Sequence, residues 1–294
     1  VSLRETSYKV TIDETGGNHP DNTTSRAVEH LFDGVTQTVD NAQSTPTAFV
    51  YATGSHAVVT ASATGADDPD QVKLALALTT PSVSGTEASD LTTTDGHAIT
   101  LSVDTAGRVI GTTDDGRVAF AIAIDQSGHV SIAQYLAIHE NDPGNPNDTV
   151  DLSDKISVVA TATDYDGDTS SKSVDIGSHI VFQDDGPSFS LTVDSNASIA
   201  VTLDETVGGD RYAAGETVHD GNNDDVGPAG SLGQVTTSLS GGLASLFTVS
   251  ALSYGADGAG STTSSLAFTS ISSNGIATNL SATQGGAITL YETN

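Results

Sequence analysis

Cysteine, methionine and tryptophan are all absent from the 294 residues. No disulfide can staple this fold. The redox compartment is left open, because a cytosolic chain and an extracellular one held together by metal can both dispense with cysteine. Basic residues are scarce: nine Lys and Arg stand against 38 Asp and Glu, a formal charge of -29. That balance argues against a nucleic-acid partner, since neutralising phosphates takes clustered Lys and Arg. No apolar run approaches the roughly 20 residues of a spanning helix, so no membrane insertion is expected. Without a starting Met or a signal peptide, Val1 and Asn294 are expected to be internal points of a longer polypeptide.

Apolar residues make up 36% of the chain, with seven Tyr and seven Phe. Val, Ile, Leu, Phe and Tyr nevertheless recur along the whole length, as a folded chain requires and a disordered acidic tail does not. The expected cores are thin. A chain with many carboxylates and little core would gain most from bound metal, and Ca2+ is the candidate.

An internal repeat organises the chain. Val10-Thr-Ile-Asp-Glu-Thr15 returns as Val201-Thr-Leu-Asp-Glu-Thr206, each followed by a Gly-Gly pair, Gly16-Gly17 and Gly208-Gly209. Gly65-Ala-Asp67 returns as Gly255-Ala-Asp257, Leu76–Thr79 as Leu266–Thr269, and Gly96–Leu101 as Gly285–Leu290. The order is kept, which makes coincidence a poor explanation. Residues 1–186 thus read as a complete repeat unit, a β-sandwich that could comprise two sub-sandwiches, and residues 187–294 as the first half of a second copy.

Strand signals dominate. Alternation runs through Val72–Leu78, Ala98–Val103, Val118–Ile124 and Ile156–Ala162, each bounded by Gly, Asp, Asn or Pro. The predicted fold class is all-β, with antiparallel β-sandwich repeat domains in tandem. Helical turns are expected only at Ser25–Phe32 and Ser131–Ile138.

The most specific local feature is Thr163-Asp-Tyr-Asp-Gly-Asp-Thr169, which crowds Asp164, Asp166 and Asp168 between two strand-like runs. Gathering three carboxylates costs on the order of 1 kcal/mol per pair at 4 Å in water, and more at lower dielectric, unless a cation fills the gap. Hard oxygen ligands favour Ca2+. An EF-hand does not fit, since Gly167 is the fourth residue of the loop and strands flank it. The alternative is a solvated Asp-Gly hairpin turn. A second acidic set lies near the unit junction: Asp184 and Asp185, then Asp204 and Glu205, with Asp13 and Glu14 as the equivalents of the last two in the first unit. If strand entry and exit meet there, a shared ion would stiffen the joint; the alternative is a polar linker turn ending in Gly-Pro. Asp67–Asp70, Asp114-Asp115 and Asn222–Asp225 each read as a calcium loop or, the commoner case at so negative a charge, as an exposed acidic turn.

No enzymatic constellation emerges. His139-Glu140 continues into Asn141-Asp142 rather than a second ligand at helical spacing, no phosphate-binding glycine loop or nucleophile elbow occurs, and carboxylates are too abundant to single out a glycosidase pair.

The stretches Val130–His139, Asn147–Leu152, Ala160–Asp168 and Ile180–Pro187 resemble the closing half of the long repeats in very large RTX-type proteins of Gram-negative bacteria. Leu203–Gly209 is similar to the start of the same repeat. That resemblance implies export by type I secretion, an extracellular or cell-surface location, calcium-dependent folding and a role in a giant adhesin. One departure stands out: the nonapeptide G-G-x-G-x-D does not occur, so the fragment would belong to the repeat region. The expected function is a calcium-stabilised extender module with no enzymatic activity, monomeric and partnered by neighbouring repeats of its own polypeptide. The alternative is a calcium-dependent module that binds a cell-surface glycan or protein, with Tyr165 as a stacking surface.

Overall fold

A computed structural model describes residues 1–15, 20–35, 48, 50–64, 71–142, 145, 147–193, 243–263, 265, 275–283 and 285–291. Several sequence features lie outside the described residues: both Gly-Gly pairs, Asp67–Asp70, Val201–Thr206 with the candidate ligands Asp204 and Glu205, Asn222–Asp225 and Leu266–Thr269. The chain divides into two compact units, Val1–Ser188 with Ser253–Ala259, and Phe189–Leu252 with Gly260–Asn294.

The first unit begins with β1 (Ser2–Glu5) and β2 (Val10–Asp13), then a single helical turn α1 (Arg26–Glu29) that tightens into a 3-10 turn at His30–Phe32. Strands follow in quick succession: β3 (Val50–Thr53), β4 (Val59–Ser62), β5 (Gln71–Leu78), β6 (Thr86–Thr92), β7 (Ala98–Val103), β8 (Val109–Thr113), β9 (Val118–Ile124) and β10 (Val130–Gln134). The unit closes with β11 (Thr149–Asp151), β12 (Ile156–Thr163), β13 (Thr169–Asp175) and β14 (Ile180–Gln183). The protein is all-β, and the four alternating runs form β5, β7, β9 and β12. No described helix is long and apolar enough to cross a membrane.

A six-stranded sheet runs β3-β10-β9-β8-β7-β6, mostly through short hairpins, and a three-stranded sheet runs β13-β12-β5. Leu74, Leu76, Leu78, Val158 and Ala160 of the smaller sheet share one buried core with Ile99, Leu101, Val109, Phe120 and Ile122 of the larger. This follows from the two-residue period, which sends alternate side chains to one face. Phe120 and Phe182 meet there with ring centroids 4.8 Å apart. Strand β9 is apolar on both faces for a different reason. Its outer residues Val118 and Ala121 join Ala133 of β10 under Val28 and Phe32, so the helical turn at α1 covers that side of the sheet.

One expectation is corrected. Ser131–Ile138 is not helical: Ser131–Gln134 lies in β10, paired to both β3 and β9. Its run Val-Ser-Ile-Ala-Gln is buried throughout, and a continuous buried run reads equally as strand or helix on periodicity alone. The sheets are antiparallel as expected, with one parallel pairing among the described strands. In the sheet β11-β14-β2, β14 lies parallel to β2, with Ile180 opposite Val10 and Gln183 opposite Asp13. The second and last strands of the unit, β2 and β14, therefore run side by side and end together.

In the second unit the described strands are β15 (Ser188–Val193), β16 (Phe247–Ser253), β17 (Ile276–Ser281) and β18 (Ala287–Leu290), paired β15 with β16 and β17 with β18. Their side chains are largely exposed.

Candidate metal centre

The parallel pairing decides where the acidic residues of the unit junction fall. Because β2 and β14 finish at the same end, Asp13-Glu14 and Asp184-Asp185 emerge together, and the Glu14 N–H donates to the Gln183 carbonyl at 3.0 Å. Carboxylate oxygens of Glu14, Asp184 and Asp257 lie within 4.8 Å of one another. Asp257 arrives on the Ser253–Ala259 segment of the same compact unit. Gly255 precedes it with φ +78°, and a Cβ at 255 would fall 2.2 Å from Asp185 Oδ1. Only glycine fits that approach, which lets the Ala256 N–H donate to Asp185 Oδ1 at 2.8 Å.

The loop after β10 supplies the rest. Glu14 Oε1 accepts hydrogen bonds from the Ile138 N–H at 2.9 Å and from Gln134 Nε2. Glu140, two residues on from Ile138, is buried beside them. Glu14 is 3% exposed and Gln134 fully buried. Ion pairs of lysine and arginine among the described residues go to Asp90, Asp95, Asp104 and Asp115, and none reaches this cluster.

Burial without a counter-cation raises the pKa of every shifted carboxyl here. Glu14 is pushed from 4.5 to about 8, mainly by desolvation and further by Asp257 and Asp185, although the Ile138 and Gln134 hydrogen bonds oppose this. Glu140 is pushed to about 9 by desolvation and then by Glu14, Asp184 and Asp257. Desolvation likewise raises Asp184, as Asp257 does, and raises Asp257, as Asp185 does. Among the described residues, four buried side-chain oxygens lack a hydrogen-bond donor: Glu14 Oε2, Gln134 Oε1, Glu140 Oε1 and Asp184 Oδ1. Leaving a buried acceptor unmet costs about 1–3 kcal/mol, so the sequence tolerates a large local penalty. A divalent cation among Glu14, Asp184 and Asp257 would relieve part of it, and a donor set of carboxylates and an amide carbonyl suits Ca2+.

Asp164, Asp166 and Asp168 are brought together on the exposed β12-β13 turn, their oxygens within 4.8 Å of one another. The turn itself needs no ion. The Asp168 N–H donates to Asp164 Oδ1 at 2.8 Å, and Gly167 takes φ +97°. Asp104–Arg108 and Asp125–His129 form the same turn, with the fifth residue donating its N–H to the first aspartate at 2.9 Å in both. What differs is the partner. Arg108 Nε donates to Asp104 Oδ2 at 2.8 Å, and His129 Nδ1 lies 3.2 Å from Asp125 Oδ2. In the β12-β13 turn a third carboxylate, Asp168, occupies the place of that base, so a cation from solution would supply what Arg108 and His129 supply elsewhere. A shared hydrogen bond with Asp166, with help from backbone N–H groups, holds Asp164 below the usual carboxylate range.

A third grouping, His97 with Asp114 and Asp115, carries its own base. Arg117 donates to Asp115 at 2.8 Å and to Asp95 at 2.7 Å. A cleft of about 460 Å³ beside α1 is lined by Leu31, Ile124, Asp125 and His129 among others, and Asp125 is its one acidic residue among those described.

Of the sequence-based candidates, Asp164, Asp166 and Asp168 meet one another, Asp184 joins the buried cluster, and Asp185 holds the Gly255–Asp257 loop. Asp204 and Glu205 lie outside the described residues. Gln134, Glu140 and Asp257 were not among the expected ligands. A signal for Asp257 did exist, because it ends the repeated Gly-Ala-Asp.

Fold and site together define an all-β module in which the ends of β2 and β14 bring Glu14 and Asp184 into one cluster of carboxylates. Residues 9–177, more than half of the chain, match one family model, and the protein belongs to that family, described as Domain of unknown function (DUF5801). No curated protein and no solved structure matches the chain.

Proposed function

We propose that the chain is a calcium-stabilised structural module, an extender repeat of a large secreted bacterial surface adhesin of RTX type, with no enzymatic activity. The observation that supports this most is the convergence of Glu14, Asp184 and Asp257 at the joined ends of β2 and β14, with their oxygens within 4.8 Å. Such a site suits a chain that folds outside the cell. Extracellular calcium modules bind in the 10⁻⁴–10⁻³ M range, a concentration the cytosol does not offer, so the chain would stay loose until secreted. At -29, charge repulsion penalises the compact state, and each bound Ca2+ both removes two units of charge and adds its binding free energy to stability. The RTX-like motifs, the repeat and the acidic composition agree with a surface-attached, monomeric array whose nearest partners are its own neighbouring repeats.

Thermal melting in millimolar calcium and in excess chelator tests the reading. The transition should rise by many degrees with calcium; identical melts would remove the proposal.

A second reading keeps one specific observation. Tyr165 is 90% exposed beside the Asp164–Asp168 carboxylates, which is how an aromatic platform next to an ion would meet a glycan. Glycan-array binding that needs both calcium and Tyr165 would favour it.

A further inference from the structure

Gln134 is the informative member of the buried cluster. Its Nε2 donates to Glu14 Oε1 and to the Leu136 carbonyl, the latter at 3.1 Å. Turning the amide over would set its oxygen against those two acceptors, so its orientation is fixed. The carbonyl oxygen of a fully buried residue is thereby presented with no donor to meet it. A carboxyl proton or a cation can each meet this oxygen, but only a cation meets it and several carboxylate oxygens at once.

The Ser253–Ala259 segment is the other half of the observation. It reaches the cluster through three separate contacts: Asp257 among the carboxylates, the Ala256 N–H on Asp185, and Gly255 packed against that same side chain. Asp257 itself accepts a hydrogen bond from Thr94 and lies near His139, and a cation among Glu14, Asp184 and Asp257 would add to that hold on the segment.

We propose that one Ca2+ is held by Glu14, Asp184 and Asp257, with the unmet Gln134 Oε1 as a further ligand, and that it latches the Ser253–Ala259 segment onto the ends of β2 and β14. The proposal rests on the calcium reading above and adds to it a ligand set and a moving part. Four oxygen-bearing side chains with water completing the shell suit the irregular six- to eight-fold coordination of Ca2+ better than the strict octahedron of Mg2+, which keeps most of its waters. Glu14, Gln134 and Asp184 come from the ends of β2, β10 and β14, and Asp257 closes the site last. The loop docks when the ion is present and detaches when it is removed.

Hydrogen exchange of the 253–259 segment, with and without calcium, tests this alongside isothermal titration with calcium alone. In the wild-type chain calcium should slow exchange of the segment, including the Ala256 amide, by about tenfold or more. Asp257→Asn, in a surface loop that leaves the core intact, should lose that protection and weaken calcium binding about tenfold, and Gln134→Leu should weaken it comparably. Asp164→Asn with Asp166→Asn should leave the protection in place. If calcium stabilises the fold while exchange of the segment is unchanged, or if Asp257→Asn binds as the wild type does, the site is overturned and the calcium reading stands. If the wild-type chain neither binds calcium nor melts higher in it, both fall.

Discussion

Raising the pH in the presence of chelator should destabilise the first unit. Glu14 and Glu140 have folded-state pKa values of about 8 and about 9 against 4.5 for the ordinary group, so between about pH 5 and pH 9 the folded state binds protons that the unfolded chain has released. Stability is then fully present below 4.5 and falls as pH rises through the folded values. Each group contributes a slope of up to about 1.4 kcal/mol per pH unit while it is protonated only in the folded state. Both sit in one cluster and are 3% and 7% exposed, so solvent screens them little. The decline between pH 5 and pH 9 amounts to several kcal/mol, a large part of the roughly 5–15 kcal/mol that holds a typical domain folded. Urea denaturation followed by circular dichroism reads it directly. The midpoint should fall with pH in chelator and fall much less in calcium, which replaces the protons and binds more tightly as they leave. His97, raised by its hydrogen bond to Asp114, contributes a decline of the same sign, and His97→Gln separates it; Glu14→Gln with Glu140→Gln should flatten most of the remainder, leaving the share of Asp184 and Asp257, which are raised in the same direction. A midpoint in chelator that stays level or climbs from pH 5 to pH 9 would refute the reasoning.

Two further outcomes follow from the geometry. Gly177→Ala should cost about 3 kcal/mol or more, because its Cβ would fall 1.7 Å from the Leu152 carbonyl oxygen, and a thermal melt near that of the wild type would show the β11 approach to be looser than described. Asp164→Asn with Asp166→Asn should leave the melt in chelator nearly unchanged, since Asn keeps the oxygen that receives the Asp168 N–H, and should remove only part of the rise that calcium gives; loss of the whole rise would place the principal ion on the exposed turn instead.

The all-β class was legible because alternation at Val72–Leu78 and Ala98–Val103 is a strong local signal, and β5 and β7 occupy those residues. Ser131–Gln134 misled because both faces of β10 are covered, one by the core and one by the helical turn at α1, so alternation vanished. The parallel pairing of β2 with β14 was invisible: it joins residues some 170 apart and leaves no mark in either strand alone. That same pairing explains the mixed legibility of the site. Asp164, Asp166 and Asp168 were readable as a cluster because they are neighbours in the chain. Asp184 and Glu14 were suspected from their place at the ends of the repeat. Gln134 and Glu140 could not be, because an amide and an acid following a buried strand look ordinary until the topology brings the end of β2 against them.

The central claim is that a divalent ion, rather than shared protons, is what the clustered carboxylates are built to hold. Anomalous diffraction from crystals of this chain grown in millimolar calcium at neutral pH tests it most directly. The account predicts a peak among Glu14, Asp184 and Asp257, with ligand oxygens at about 2.3–2.6 Å and Gln134 Oε1 among them. Density without such a peak, with the carboxyl groups hydrogen-bonded to one another through protons, would contradict it.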